Sequence, residues 1–268
     1  MKKISLILAI TSAVFTMASC NKTDEPYMKD IVVSGDRIVL LEDYTGVKCV
    51  NCPDAAVIAH ELLESYPKNL VVLSVHAGYL ATPFPGEPDY RTEAGTNWYE
   101  TFGFSANPIG TVNRTKVNNG YGYNSIAWGA KIAEEINKTP EIQFSIEPTY
   151  DESTRKLDIL IKGEFTQEIT GDFYIFAGIM EDSIQGKQVT SQGLSDQYWH
   201  CHMFRQPLNG NWGESLFVGM TDPSQQFQKS FSTTIDSTYN ADQCYVVSYV
   251  YNNAQDKVIL QAGQAKIK

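Results

Sequence analysis

The chain has 268 residues, a formal net charge of −10 at pH 7 and a hydrophobic share of 43%. Its acidity argues against a nucleic-acid partner, because a phosphate backbone attracts a basic surface, and against polybasic docking on anionic lipid. The length and the apolar share are sufficient for one large domain or two ordinary ones.

The first twenty residues have the pattern of a secretory signal. Two lysines precede an apolar run that ends at Phe15 and is too short to span a bilayer, and two small residues then precede Cys20. A cysteine at this point resembles the lipid-acceptor cysteine of bacterial lipoproteins; the alternative is an ordinary signal peptide in which Cys20 is incidental. We therefore predict a signal peptide over residues 1–19, lipidation of Cys20 and a polar tether over residues 20–35.

A strand, a helix and a second strand are predicted after the tether. Ile38–Tyr44 and Leu70–Val75 are short apolar runs typical of buried strands, and Pro53–Tyr66 repeats apolar residues at helical spacing. Such a βαβ unit predicts parallel strands joined by a right-handed crossover. A helix, a strand and another helix are predicted next, over Thr92–Phe102, Ile109–Asn113 and Ser125–Lys138.

The pattern changes near residue 139. Apolar and polar residues then alternate, and turn signals separate six candidate strands, which begin near Ile142, Leu157, Phe173, Phe227, Cys244 and Val258. A run of alternating strands without a helical pattern is typical of an antiparallel sandwich. We therefore predict an α/β domain over residues 36–138, followed by an all-β antiparallel sandwich over residues 139–268.

Five cysteines are present, and lipidation of Cys20 would leave four. An even number in an oxidising compartment is compatible with two disulfides. Cys49 and Cys52 are candidates for one of them. Cys201 and Cys244 are the candidate structural pair, although only their distance can decide whether they meet.

The C-x-x-C pair lies between a predicted strand and a predicted helix, a context that makes the motif more specific than its spacing alone. Two cysteines in a first helical turn come within disulfide reach, and exposed N–H groups there stabilise a thiolate. Cys49 is the predicted nucleophile and Cys52 the resolving thiol. Two alternatives stay open: a disulfide that is only a structural staple, and a zinc site, which would need a second ligand pair nearby.

This arrangement resembles the thioredoxin family over residues 36–138. The family carries a buried acid six residues before the first cysteine, which implies that Asp43 moves the proton of the second thiol, with Glu42 as the alternative. It also places a cis-proline at the start of the third strand, which implies that role for Pro108 and a substrate-facing backbone at Asn107. The sequence departs from the family by carrying Lys48 where an aromatic residue usually precedes the first cysteine.

A second cluster contains His200, Cys201 and His202 among aromatic residues. On a strand the two histidines would share a face and could bind a metal. We favour an aromatic turn with Cys201 bonded to Cys244, because no carboxylate or third histidine is adjacent. No metal and no other cofactor is therefore predicted. His76, at the end of the second strand, either faces the Cys49 site or only ends the strand.

The lipoprotein start, the stretch from Thr45 to Pro53 and the loop from Asn209 to Gly213 together resemble a Bacteroidota family of twenty-eight-kilodalton outer-membrane proteins. The resemblance implies a lipid-anchored protein of the outer membrane, facing the periplasm or the cell surface. Its function is then either thiol-disulfide exchange on protein or peptide substrates, or surface binding and adhesion with a structural disulfide. Only the first of these would make the chain an enzyme.

Overall fold

A computed structural model describes residues 36–268. The predicted signal peptide 1–19, the lipidation of Cys20 and the tether 20–35 lie outside the described residues, so these remain predictions.

The predicted βαβ unit is confirmed. It consists of β1 (Val39–Thr45), α1 (Cys52–Ser65) and β2 (Leu70–His76), and β1 runs parallel to β2 from the Val39–Leu70 pair to the Thr45–His76 pair. Both strands are buried on both faces, which explains why their sequences are continuous apolar runs rather than alternating ones.

The next three elements also form near their predicted positions: α2 (Glu93–Thr101), β3 (Ile109–Val112) and α3 (Ser125–Ile136). The Thr92 hydroxyl and the Asn124 side chain accept hydrogen bonds from backbone N–H groups in the first turns of α2 and α3. Such caps satisfy donors that a helix leaves free. β3 pairs antiparallel with β1, so this part of the sheet is mixed.

Ten strands follow residue 139 among the described residues, four more than the sequence predicts. They are β4 (Ile142–Asp151), β5 (Lys156–Phe165), β6 (Thr170–Glu181), β7 (Ile184–Thr190), β8 (Gly193–His200), β9 (Met203–Pro207), β10 (Glu214–Met220), β11 (Gln226–Thr234), β12 (Cys244–Asn252) and β13 (Val258–Lys266). The additional strands, β7 to β10, have mixed polarity and lie between Phe173 and Phe227, two predicted strand starts between which the sequence predicts no further strand.

One large sheet contains strands from both halves of the chain. Its order is β13-β12-β6-β9-β2-β1-β3, and β10 also pairs with β6. The five-residue strand β9 connects the halves, because it pairs with β6 along Gly178–Glu181 and meets β2 at the Ser74–Met203 pair. The described residues all fall in one compact unit, while the domain boundary near residue 139 stays a prediction.

Helices cover the first half of this sheet and a second sheet covers the other half. α1 and α3 contribute Ala55, Trp128 and Ile132 to a core with Val39 and Leu41 on one face, whereas Trp98 of α2 packs on the opposite face. The three-stranded sheet β11-β5-β4 shares a core with β6 and β12. The antiparallel, β-rich second half is therefore as predicted, and within residues 36–268 no helix has both the length and the apolarity needed to cross a bilayer.

Candidate thiol-disulfide site

Cys49 and Cys52 form a disulfide where β1 leads into α1. Cys52 is the first residue of the helix and Asn51 precedes it as a cap residue without a side-chain hydrogen bond. Cys49 therefore lies in the turn before the helix, not in its first turn as predicted. The helix start is set by Pro53, which occupies a first-turn position where no backbone donor is needed.

The hairpin β7–β8 covers the loop that carries the disulfide. The Val189 N–H donates to the Val47 carbonyl at 2.8 Å. The Gln188 side-chain amide donates to the carbonyls of Gly46 at 3.2 Å and Cys49 at 2.9 Å. Cys49 and Cys52 are each only 2% exposed, so a protein substrate can reach their sulfurs only if this hairpin moves.

Asp43 lies on the face of β1 that points toward α1. It lines a cavity of about 20 Å³ together with Cys52 and Ala56. Its carboxyl is buried, and its Oδ1 has no hydrogen-bond partner within the described part of the chain. Burial raises the pKa of Asp43 to about 7, because desolvation disfavours the charged carboxylate relative to the neutral acid. The group can therefore exchange a proton near neutral pH.

Glu42 is placed on the opposite face, since neighbouring residues of a strand alternate. Its carboxylate binds the Arg114 guanidinium at 2.6 Å and accepts a 2.6 Å hydrogen bond from the Thr111 hydroxyl. The Tyr249 hydroxyl accepts a further bond from Arg114. Of the two acids considered from the sequence, only Asp43 lines the cavity that Cys52 lines.

Pro108 directly precedes β3, and the Asn107–Pro108 peptide bond is cis. The following residue, Ile109, pairs with Tyr44 near the end of β1, which brings this segment to the edge of the sheet where the cysteine loop begins. The Asn107 side-chain amide donates to the carbonyls of Thr45 and Ala77, both at 2.9 Å. Asn107 thus links the ends of β1 and β2; its role in binding a substrate backbone stays a prediction.

Two histidines complete the wall of the Asp43 cavity. His76 ends β2 and His200 ends β8, and their ring centroids are 5.3 Å apart. Burial lowers the pKa of His76 to about 3 and that of His200 to about 4, so both rings are neutral. Both His76 nitrogens and His200 Nε2 have no hydrogen-bond partner among residues 36–268. The sequence leaves two alternatives for His76, and no local pattern indicates that His200 would lie beside it.

His200 and His202 do not share a face, contrary to the expectation for a strand. β8 ends at His200, and His202 has a left-handed backbone with a φ of 55°. Its N–H donates to Asp182 Oδ1 at 3.2 Å. In the described part of the chain, no group of three or more histidine, cysteine or acidic side chains is arranged to hold a metal ion.

The expected Cys201–Cys244 disulfide is wrong. Both are free thiols; Cys201 is exposed and Cys244 is buried. Cys201 lines the cavity next to Cys52, whereas Cys244 opens β12 and belongs to the core of the sandwich. Without Cys20 the number of cysteines is even, but the sequence could not show that Cys201 and Cys244 lie in different parts of the fold.

The comparisons with known proteins concern the family and the fold rather than the disulfide. A family model described as "Outer membrane protein Omp28" matches residues 96–268, which excludes the cysteine pair. No curated protein matches the sequence. Among solved structures, HBP35 of Porphyromonas gingivalis superposes with a TM-score of 0.68 and 18% identity, covering 87% of this chain and 76% of that one.

A structural-genomics protein from Agrobacterium tumefaciens superposes with a TM-score of 0.52 and 13% identity, covering 86% of this chain and 94% of that one. At these identities, the two likenesses show a shared fold and nothing about activity. The family description is that of an outer-membrane protein, which supports the location that the sequence predicts. The chain belongs to the Omp28 family of outer-membrane proteins.

Proposed function

We propose that this outer-membrane protein performs thiol-disulfide exchange at Cys49 and Cys52. In this proposal residues 36–138 are a thioredoxin-like domain, a lipid on Cys20 anchors the chain to the outer membrane, and the domain faces the periplasm or the cell surface. Its substrates are disulfides of proteins or peptides. It needs no cofactor and no nucleic-acid partner.

The observation that carries the proposal is the buried Asp43 carboxyl. It lines the same cavity as Cys52, its Oδ1 has no partner within the described residues, and its pKa is raised to about 7. A purely structural disulfide does not require a buried acid without a partner beside it, and burying such an acid lowers the stability of the fold. A resolving thiol, by contrast, needs a base with a pKa near the working pH.

In this proposal the two sulfurs have separate tasks. In the reduced protein the Cys49 thiolate attacks a substrate disulfide, which forms a mixed disulfide and releases one substrate thiolate. The Asp43 carboxylate then accepts the proton of the Cys52 thiol. The Cys52 thiolate attacks the Cys49 sulfur, which closes the Cys49–Cys52 disulfide and releases the second substrate sulfur as a thiolate that takes up a proton.

One observation favours the second candidate function, a surface-binding or adhesion protein with a structural disulfide. Both cysteines are 2% exposed beneath the β7–β8 hairpin, and an exchange catalyst requires an accessible first sulfur. This function predicts that the Cys49→Ser/Cys52→Ser variant folds and retains binding, whereas exchange chemistry requires both thiols.

The decisive measurement is the reduction potential of the Cys49–Cys52 pair. It is obtained by equilibrating the Cys201→Ser variant in dithiol buffers and counting thiols by mass-tagging at each potential. Omission of Cys201 leaves the buried Cys244 as the remaining free thiol among the described residues. We expect a value between roughly −100 and −270 mV, the range of catalysts; a value below about −300 mV is that of a staple and contradicts the proposal.

A rate measurement tests the role of Asp43. Asp43→Asn is expected to slow insulin reduction at pH 7 on the order of 100-fold, because the base that deprotonates Cys52 is removed. Cys49→Ser abolishes the reaction, and Gln197→Ala, an exposed change on the hairpin, leaves it unchanged. Equal rates in the wild type and Asp43→Asn would show that the acid takes no part.

A further inference from the structure

An apolar groove lies between α1 and β8, beside the disulfide. Its volume is about 210 Å³, and its rim contains Val57 on the helix and Trp199 on the strand. Each of these two side chains is 57% exposed. Large apolar side chains on two facing walls of a groove indicate a site where another apolar group is bound.

The groove is continuous with the cavity of Asp43. Ala56, Ser74, Tyr198 and Cys201 line both spaces. A molecule that occupies the groove is therefore held one side chain away from the space that Cys52 and Asp43 share.

One wall of the groove belongs to a strand with a free edge. β8 pairs with β7 on one side only, and over residues 36–268 its backbone makes no hydrogen bond with any other strand. Its first residues, Gly193 and Leu194, are exposed. An unpaired edge offers N–H and C=O groups to which an extended chain can add as a new strand.

The size of the groove indicates what fills it. Sites for small organic ligands are usually about 300–1,000 Å³, so a cavity of about 210 Å³ is better matched to one large side chain of a longer molecule. A side chain in the groove and a backbone on the β8 edge are compatible, because a strand directs alternate residues to one face.

The charge of α1 and β8 indicates what flanks that side chain. α1 and β8 carry Asp54, Glu61, Glu64 and Asp196, and neither element contains lysine or arginine. The neighbouring Lys187 on β7 is 2.8 Å from Glu87 and 3.9 Å from Asp196, and the imidazole of His60 is 3.5 Å from Glu64. A helix and a strand that carry acids and neither lysine nor arginine attract basic residues of a partner.

We propose that this groove docks an extended segment of a partner protein, with a large apolar side chain between Val57 and Trp199 and with lysine or arginine on either side of it. The backbone of the segment pairs with the free edge of β8. This docking goes beyond the exchange chemistry and does not depend on it, since the groove is formed whether the disulfide reacts or only staples the loop.

The test uses a dye-labelled nine-residue peptide with phenylalanine at its centre and alternating threonine and lysine around it, titrated with the purified protein by fluorescence anisotropy. We expect it to bind at least about tenfold more tightly than versions with alanine at the centre or glutamate for lysine, a difference of about 1.4 kcal/mol. A version methylated on the backbone nitrogens of one edge loses binding, because it cannot pair with β8.

Variants of the protein locate the site. Val57→Glu and Trp199→Ala, on opposite walls, are each expected to weaken binding by at least about tenfold. Ile126→Glu is the matched control, since Ile126 is 88% exposed on α3 and lies outside the groove. Should one groove variant fail to fold, as judged by thermal melting, the other gives the same measurement.

Three results overturn the proposal: equal affinity for all the peptides, equal affinity of the wild type and both groove variants, or a dimer in light scattering that Val57→Glu dissociates. The last would show that a second copy of the chain fills the groove. If the wild type has no insulin-reducing activity, the exchange function is contradicted. Peptide binding that persists in the wild type and in the Cys49→Ser/Cys52→Ser variant then still supports the docking site.

Discussion

Two neighbouring carboxyl groups on opposite faces of β1 differ in whether they have a hydrogen-bonding partner. On one face, Glu42 is completely buried with Arg114, whose guanidinium also contacts the rings of Trp98 and Tyr249. On the other face, Asp43 is equally buried but its Oδ1 has no partner in the described residues. The comparison teaches that burial alone does not define a carboxyl's role: the first is compensated and structural, and the second is free to exchange a proton.

The largest expected effect is on the compensated face. Arg114→Met leaves the Glu42 carboxylate buried without its cation, so the free energy of unfolding in urea at pH 7 is expected to fall by about 3–5 kcal/mol. The control is Lys156→Met, because Lys156 and Asp158 form an exposed pair at 2.8 Å that contributes about 0–1 kcal/mol. If the free energy of unfolding fell by a similarly small amount in both variants, the Glu42 carboxylate would not depend on Arg114 for its compensation.

On the uncompensated face, the expected effect depends on pH. The folded-state pKa of Asp43 is raised from 3.8 to about 7, so the folded state retains a proton that the unfolded state loses. Stability from this group is therefore complete below pH 3.8 and is lost as the pH rises through 7. Asp43→Asn cannot ionise and so does not lose stability in this way. The free energy of unfolding of the variant, minus that of the wild type, should therefore rise by about 2–4 kcal/mol between pH 4 and pH 8.

This change is measured as a difference between variant and wild type in urea unfolding at each pH. The difference is needed because His76 and His200 act in the opposite direction: their lowered pKa values make stability increase as the pH rises from about 3 to 6.5. A flat difference curve would mean that the Asp43 pKa is close to its ordinary value.

The smallest expected effect concerns the hairpin that closes the Asp43 face. Gln188→Ala removes the hydrogen bonds to the Gly46 and Cys49 carbonyls, each of which contributes about 0.5–1.5 kcal/mol. Reduction of the Cys49–Cys52 disulfide by dithiothreitol should become about tenfold faster, because opening of the hairpin costs less. An unchanged rate would place the barrier to reduction elsewhere than in the hairpin, and Gln197→Ala is the matched control.

Local patterns were sufficient to predict the first half of the fold. The apolar runs of β1 and β2 and the helical spacing after Pro53 each act over a few residues, and they gave elements close to the observed ones. The βαβ rule then gave the correct parallel pairing of β1 and β2.

The rest depends on contacts between residues distant in sequence. The hairpin β7–β8 lies over the cysteine loop through bonds such as the one from Gln188 to the Cys49 carbonyl, two residues that are 139 positions apart in the sequence. No local pattern indicates this contact. The same holds for His200, which joins Asp43 and His76 only through the fold. The cis bond at Pro108 and the buried position of Asp43 were expected from a family resemblance, whereas the lack of a hydrogen-bond partner for Asp43 Oδ1 in the described residues was visible only in the structure.

The short strand β9 has a consequence for any attempt to study the two halves of the chain separately. β9 meets one edge of β2 at the Ser74–Met203 pair, and the sequence of β2 is almost wholly apolar. A polypeptide that ended near residue 139 would leave this edge bare, and bare apolar edges pair with one another and precipitate. The soluble fragment should therefore include residues 203–207, and a charged substitution on β2 would be needed to produce the first half by itself.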